Sequence, residues 1–163
     1  MERRDIPAIF FTILTRGNPR FILNRADVRP LNMFSLLYPN RYITQANSTE
    51  LLWVLLNSTF SLSRLHSVSR TYGGNTLKVE PRELDNLPVV NPLVLPDQIK
   101  QKIKSLIDDF HRRQETSTLL QQVDALIETV LSTKPTKAIR PSLPLQLRLL
   151  ETETGYPEIK IKE

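Results

Sequence analysis

Residues 69–82 hold the side chains whose types and spacing could bind a polyanion. Their order is Ser-Arg-x-Tyr-Gly-Gly, a short stretch with one lysine, and then Glu-Pro-Arg. The adjacent Gly73 and Gly74 permit positive φ angles and allow a backbone to approach another molecule closely. Arg70 and Lys78 flank them and could contact phosphates, which position a DNA-binding protein, whereas contacts with base edges confer its sequence choice. The alternative is that the two glycines only make a tight turn.

The excess positive charge of the chain is confined to its first half. Residues 1–82 hold eleven Lys+Arg and five Asp+Glu, which gives a net charge of +6. The net charge of the whole chain is +5. Residues 83–163 hold eleven Lys+Arg and twelve Asp+Glu, a net charge of −1. Ten of the eleven cations in the first half are arginine, whose rigid fork of donors matches phosphate oxygens and the guanine edge. A solvated basic surface is the alternative interpretation.

The residue types that catalysis needs are absent or scattered. The chain has no cysteine, and His66 and His111 are its two histidines, so a zinc site is not expected. It has no glycine loop of the kind that cradles phosphates and no arrangement typical of a nucleophile. The acidic pair Asp108-Asp109 is expected on a solvated helix face. The sequence therefore predicts neither an active site nor a metal-dependent nuclease.

The first part of the chain predicts short strands. Residues 6–14 are mostly β-branched, aromatic or apolar, which is typical of a buried strand, and residues 21–23 predict a second strand. The turn signal between them would join the two as a hairpin flanked by Arg16 and Arg20. Residues 31–37 predict another short strand.

A helix is predicted next, over residues 47–66. Asn47 is its expected N-cap, with a glutamate three positions later. Trp53 lies off the apolar stripe of this helix and is expected to cover a neighbouring element. Residues 77–79 then predict a short strand that Pro81 ends.

The second half of the chain predicts helices followed by a tail. Residues 97–114 and 115–131 both show apolar positions at helical spacing, which indicates a helical hairpin or one long broken helix. From residue 132 onward the chain is rich in proline and polar residues, which is typical of an extended tail. Residues 159–161 could add an edge strand.

These elements predict an α+β fold, with a small mixed or antiparallel sheet and a helix in the N-terminal half, followed by a helical hairpin and an extended tail. The expected boundaries are 1–92, 93–132 and 133–163. The apolar run near the N-terminus is too short for a membrane span, and no cleavage signal follows it. The expected compartment is the cytoplasm.

Four segments together resemble one family. The most specific is the block at residues 69–74, followed by Leu-Lys-Val-Glu-Pro-Arg-Glu-Leu at 77–84 and Leu-Pro-Val at 87–89. Asn-Ser-Thr-Phe at 57–60 precedes them. They resemble the target-recognition region of N6-adenine DNA methyltransferases, in the group that includes the TaqI-type and Eco57I-type modification enzymes. The resemblance covers about residues 6–131.

The resemblance implies a role in recognising DNA and a catalytic domain outside this chain. In such enzymes a Rossmann-like domain ahead of this region binds S-adenosylmethionine and carries an Asn-Pro-Pro-Tyr-type motif around the flipped adenine. Here residues 91–94 read Asn-Pro-Leu-Val, without the second proline and the aromatic residue. The sequence therefore predicts a non-catalytic part of a restriction-modification methyltransferase, with no cofactor of its own. Its expected partners are double-stranded DNA and a separate catalytic domain or subunit.

Eight residues are the predicted DNA contacts. They are Arg16, Arg20, Arg70, Tyr72, Gly73, Gly74, Lys78 and Arg82. Two other interpretations stay open. The helical hairpin at 97–131 could be a protein-interaction module with an apolar stripe for a partner, or the chain could be a remnant of an enzyme without a function of its own.

Overall fold

The computed structural model describes residues 6–74, 76–113 and 115–133. The predicted tail, with its edge strand at 159–161, lies outside the described residues. The strands in chain order are β1 (Ile9–Thr12), β2 (Leu14–Arg16), β3 (Phe21–Leu23), β4 (Phe34–Leu37), β5 (Arg70–Tyr72) and β6 (Thr76–Lys78). The helices are α1 (Arg41–Gln45), α2 (Thr49–Leu56), α3 (Thr59–Leu62), α4 (Pro81–Leu84), α5 (Asp97–Arg113) and α6 (Thr116–Thr133).

The first sheet has the strand order β3-β1-β4, and both of its pairings are antiparallel. Ile9 lies opposite Leu23, and Phe11 lies opposite Phe21, so the predicted antiparallel pairing of these two segments is confirmed, although a strand of the other sheet, β2, lies between them in the chain. The rings of Phe11 and Phe21 pack with their centroids 4.7 Å apart. The strand predicted at 31–37 is shorter and corresponds to β4. This sheet supplies one wall of the core.

The second sheet has the order β2-β6-β5 and is also antiparallel. Its existence shows that the prediction of one strand over residues 6–14 was wrong. Ile13 is the point of transfer, because its N–H donates to the carbonyl of Met33 at 3.0 Å while its carbonyl accepts from the N–H of Val79 at 2.9 Å. The run therefore leaves one sheet and enters another. The strand predicted at 77–79 lies one residue earlier, as β6.

The helix predicted over residues 47–66 is broken in three. Asn47 has a φ of 48° and is not the N-cap, a position that Ser48 occupies. Helix α2 ends at Asn57, the side chain of Ser58 caps α3, and a 3₁₀ turn follows at Leu65–Val68. Ser and Asn side chains offer the backbone local hydrogen bonds that compete with a continuous helix. This competition is why the helix stops in the polar cluster.

Helix α2 lies at the centre of the core. All residues from Leu51 to Leu56 are buried, as expected for a helix that is apolar on every side. The indole N–H of Trp53 donates to the carbonyl of Phe21 at 2.9 Å, and the Trp53 ring lies 5.8 Å from that of Phe110. Trp53 thus covers neighbouring elements, as predicted.

Helices α5 and α6 pack against each other and against α2, which confirms the predicted helical hairpin. Their apolar stripes are buried and belong to the same core as the first sheet and α2. The buried positions on the two helices include Ile103, Ile107, Leu119, Val123 and Ile127. The fold is α+β, as the sequence predicts, and the division at residue 92 stays a prediction.

Candidate nucleic-acid interface

The second sheet brings four of the predicted contacts to one of its faces. Side chains alternate across a strand, so directly opposed residues on neighbouring strands share a face. Lys78 of β6 lies opposite Arg70 of β5, and Tyr72 lies in line with Arg16 through the central β6 strand. We call this surface the ribbon face. Its members are Leu14, Arg16, Arg70, Tyr72, Thr76 and Lys78.

Most of the ribbon face points to solvent, whereas the centre of the reverse face is buried. Leu14, Arg16, Arg70 and Tyr72 are exposed, Lys78 is half-buried and Thr76 is buried. Leu77, which points to the other face, is buried. The second sheet therefore presents cations and an aromatic ring outward, with the buried side chain of Leu77 behind them.

Two cations oppose each other directly on the ribbon face. Like charges at opposed positions of an antiparallel pair destabilise a sheet. Here the pair of Arg70 and Lys78 is offset by two carboxylates, because Glu83 binds Arg70 and Glu80 binds Lys78, each at 2.9 Å. Both carboxylates come from the start of α4. Two positive charges thus lie side by side, and each is paired with one acidic residue.

Glu83 is held at both of its oxygens. Oε1 accepts from Nε of Arg70 at 2.9 Å, and Oε2 accepts from the backbone N–H of Glu80 at 3.0 Å. The second bond is half of a capping box, in which a glutamate at the third helical position satisfies the N–H of the N-cap residue. Pro81 at the first helical position favours the same start. The helix terminus therefore positions the carboxylate that positions the arginine.

The ion pair of Lys78 and Glu80 keeps both groups charged. The hydrogen bond and the charge of Glu80 raise the pKa of Lys78 above its ordinary value of 10.5. The same contact lowers the pKa of Glu80 below 4.5. The Lys78 ammonium is therefore present at any neutral pH, with a carboxylate beside it.

Arg16 has a neutral partner instead. Its Nε donates to the hydroxyl of Thr76 at 2.9 Å across the β2–β6 pair. A hydroxyl orients the guanidinium without offsetting its charge. Arg16 thus brings a full positive charge to the ribbon face.

Gly73 and Gly74 lie in the connection between β5 and β6, so they are part of a turn, which is the arrangement of the alternative interpretation. Gly74 has a φ of 73°, a conformation that side-chain-bearing residues avoid. A Cβ built on either glycine would meet no described atom within 4 Å. The turn is therefore open to solvent on that side, and a close approach of another molecule there is sterically possible.

Arg20 and Arg82, the other predicted contacts, lie apart from the ribbon face. Arg20 lines a cleft of about 380 Å³ together with Asn57, His66 and Leu77, and Leu77 points away from the ribbon face. Arg82 is exposed on α4. The structure therefore places Arg16, Arg70, Tyr72 and Lys78 on one face of the second sheet, whereas Arg20 and Arg82 are not members of that face.

Glu80 and Glu83 are not among the contacts predicted from the sequence. A signal for them was present, because Glu-Pro-Arg-Glu combines an acidic residue, a proline and a glutamate at the spacing of a capping box. This pattern favours a helix that begins at Pro81. From the sequence, Pro81 was predicted only as the end of a strand. The ion pairs themselves depend on where α4 meets β5 and β6.

Comparison with known proteins identifies the family of the chain. A family model described as the C-terminal domain of Type II methyltransferase M.Eco57I matches residues 3–128. The chain belongs to this family. Its predicted resemblance to Eco57I-type enzymes is therefore confirmed, and the match takes in both sheets and most of the helical hairpin.

A curated relative agrees with this assignment. The chain is 24% identical over 110 residues to Type II methyltransferase M.AccI from Acinetobacter calcoaceticus. The aligned segment covers 68% of this chain and 20% of that protein. The chain thus matches about a fifth of the length of that relative. No solved structure matches the chain. Among the described residues, no helix is long and apolar enough to cross a membrane.

Proposed function

We propose that this chain is the DNA target-recognition part of an adenine-specific methyltransferase of a restriction-modification system, without methyl-transfer activity of its own. The observation that carries the proposal is the ribbon face, where Arg16, Arg70, Tyr72 and Lys78 share one side of a small antiparallel sheet. Membership of a family of Type II methyltransferase C-terminal domains supports it. The proposed partner is double-stranded DNA.

The shape of the ribbon face suits a DNA groove. The major groove admits a two-stranded β-ribbon. In the three-stranded second sheet, the edge strand β5 and the central strand β6 make up such a pair, with β2 on the other side of β6. Cations on its outward side would meet phosphates and base edges, while Tyr72 and Leu14 supply apolar surface between them. Direct contacts of both kinds are needed for binding that depends on sequence.

Methyl transfer would come from a separate catalytic domain or subunit that binds S-adenosylmethionine. The residues around Arg20 do not fit that cofactor. No carboxylate lines the two clefts of about 380 Å³ and 280 Å³ that Arg20 borders, so neither offers a charged acceptor for the ribose hydroxyls or a counter-charge for the sulfonium. We therefore derive no catalytic step for this chain.

The alternative role as a protein-interaction module has less support in the structure. It relies on the apolar stripe of the helical hairpin for a partner. Residues of that stripe, including Ile103 and Val123, are fully buried in the chain's own core. The stripe is therefore already occupied.

The proposal is tested by titrating the full chain with a duplex pool of random sequence at several salt concentrations. Neutralising phosphates releases counterions, so the logarithm of the binding constant should fall linearly with the logarithm of the salt concentration, by about 0.9 per phosphate contact. Arg16→Ala should weaken binding and reduce this slope. Lys104→Ala, on the exposed side of α5, is the matched control and should change neither. Binding that is absent or indifferent to salt would refute the proposal.

A further inference from the structure

The two arginines of the ribbon face differ in how they are held, and Arg70 is held by a carboxylate. Its Nε is bonded to a carboxylate, Glu83, whose second oxygen is itself bonded to the backbone at the start of α4. Glu83 adds the attraction of an opposite charge to its hydrogen bond with Arg70. The hydroxyl of Thr76 accepts from Arg16 without a counter-charge. The guanidinium of Arg70 is therefore fixed in direction before any ligand arrives.

The bond between Arg70 and Glu83 leaves part of the guanidinium available for a ligand. The contact with Glu83 uses Nε, so among the described residues the two terminal nitrogens have no hydrogen-bond partner and remain for a ligand. The Arg70 side chain is 64% exposed, whereas that of Glu83 is 23% exposed. The carboxylate is thus the less exposed partner, and the terminal nitrogens belong to a side chain that is largely accessible to a ligand.

The partner of Arg70 also indicates what kind of ligand suits it. A phosphate next to Arg70 would be repelled by the Glu83 carboxylate, which offsets much of the arginine's charge. A neutral group with two acceptors would not be repelled by Glu83. The paired donors of the guanidinium fit such a pair of acceptors. The guanine edge in the major groove, with N7 and O6, is such a pair, and arginine is its commonest partner.

On the basis of the proposed function, we propose that Arg70 reads a guanine through paired hydrogen bonds to N7 and O6, and that Glu83 is the residue that positions it. Arg16, whose charge no carboxylate offsets in the contacts described above, contacts a phosphate instead. The two arginines of the ribbon face then have different roles. Arg16 anchors the sheet on the backbone and Arg70 selects the base.

The first step of the test is to select from a random duplex pool with the full wild-type chain and sequence the bound fraction. Affinities are then measured for the selected duplex, for a scrambled duplex, and for a copy of the selected duplex with 7-deazaguanine at each enriched guanine in turn. We expect one position at which the loss of N7 weakens wild-type binding. At that position Arg70→Ala should no longer distinguish guanine from 7-deazaguanine.

The variants separate a base contact from a phosphate contact. Arg70→Ala should lose about 5- to 150-fold in affinity for the selected duplex, the usual range for one paired arginine–guanine contact, and keep its affinity for the scrambled duplex. Arg16→Ala should weaken both duplexes alike and reduce the salt slope by about 0.9. Glu83→Gln should lose discrimination like Arg70→Ala while binding the scrambled duplex at least as well as wild type, because a negative charge is removed.

Arg70→Lys guards against misfolding, since it leaves the capping box of α4 untouched. It keeps the charge and removes the fork, so discrimination should be lost while binding of the scrambled duplex is retained. If Arg70→Ala weakens both duplexes equally and lowers the salt slope, Arg70 is a phosphate contact and the inference is overturned, although the proposed function stands. If wild type binds no duplex, the proposed function fails as well.

Discussion

The side chain of Asn57 replaces a missing neighbour strand for Phe21. Its Oδ1 accepts from the N–H of Phe21 at 2.9 Å and its Nδ2 donates to the carbonyl of Phe21 at 3.0 Å. Phe21 lies on β3, at the edge of the first sheet, where backbone groups have no strand to pair with. Asn57 also closes α2, because Nδ2 donates to the carbonyl of Trp53. One buried amide thus joins the central helix to the sheet.

Removing this amide should destabilise the fold. Asn57→Ala leaves the buried N–H of Phe21 without its partner and should lower the free energy of unfolding by about 3 kcal/mol, because each buried polar group left unpaired costs about 1–3 kcal/mol. Asn86→Ala is the matched control, since Asn86 is exposed and its side chain bonds one carbonyl, that of Arg82, among the described residues. The control should change stability by no more than about 0.5 kcal/mol. Urea unfolding followed by circular dichroism measures both, and equal losses would contradict the role assigned to Asn57.

Asp124 holds the start of α3 from a distance. Its carboxylate accepts from the backbone N–H of Thr59 at 2.8 Å and from the hydroxyl of Thr59 at 2.6 Å. Asp124→Ala should cost about 1–2 kcal/mol of stability, comparable to the loss of a helix cap. Asp108→Ala, on the exposed side of α5, removes the same charge and should be nearly neutral. The prediction is wrong if thermal unfolding places the two variants at the same midpoint.

Gly74 should be needed for the β5–β6 turn, whereas Gly73 should not. Gly74 has a φ of 73°, and Gly73 lacks a positive φ, while both have open space where a Cβ would stand. Gly74→Ala should therefore cost about 1–2 kcal/mol through backbone strain alone. Gly73→Ala should be close to neutral in stability. A comparison of the two unfolding free energies decides this, and a larger loss for Gly73→Ala would contradict it.

The contribution of the Lys78–Glu80 pair to stability should not change around neutral pH. The bond to Lys78 lowers the pKa of Glu80, so the Glu80 contribution is complete above the unfolded value of 4.5 and is lost as pH falls through the lower folded value. The bond to Glu80 raises the pKa of Lys78, so the Lys78 contribution is complete below 10.5 and is lost as pH rises through the higher folded value. The stability difference between wild type and Glu80→Gln should thus be constant from about pH 5 to pH 10 and shrink on the acid side. A difference that varies within that range in urea titrations would contradict the pairing.

Local patterns predicted the elements that depend on nearby residues. The β1–β3 pairing follows from two apolar strands around a turn signal, and the helices α5 and α6 follow from apolar positions at helical spacing. The helix predicted over residues 47–66 is interrupted after Leu56, where Asn, Ser and Thr residues that weaken a helix follow. A stripe of apolar residues spans the break, because α2 and α3 both face the core, and the polar side chains between them decide the helix ends through their own hydrogen bonds.

Long-range pairing accounts for what local patterns did not predict. Arg16 and Thr76 are 60 residues apart in the chain and adjacent in the second sheet. Nothing in the run from Ile6 to Leu14 indicates that its end leaves the first sheet. The transfer occurs at Ile13, which bonds Met33 on one side and Val79 on the other. Such pairings join residues that are far apart in the chain, so they depend on the tertiary structure.

The sequence by itself determined the inventory of the site. It shows an arginine-rich first half, the Arg-x-Tyr-Gly-Gly block and the family resemblance, all of which depend on residue types along the chain. Only the tertiary structure decided that Arg16, Arg70, Tyr72 and Lys78 share one face and that Glu83 holds Arg70. The physical reason is register. Side chains alternate along a strand, so a shift of one residue in a long-range pairing would move every one of them to the opposite face.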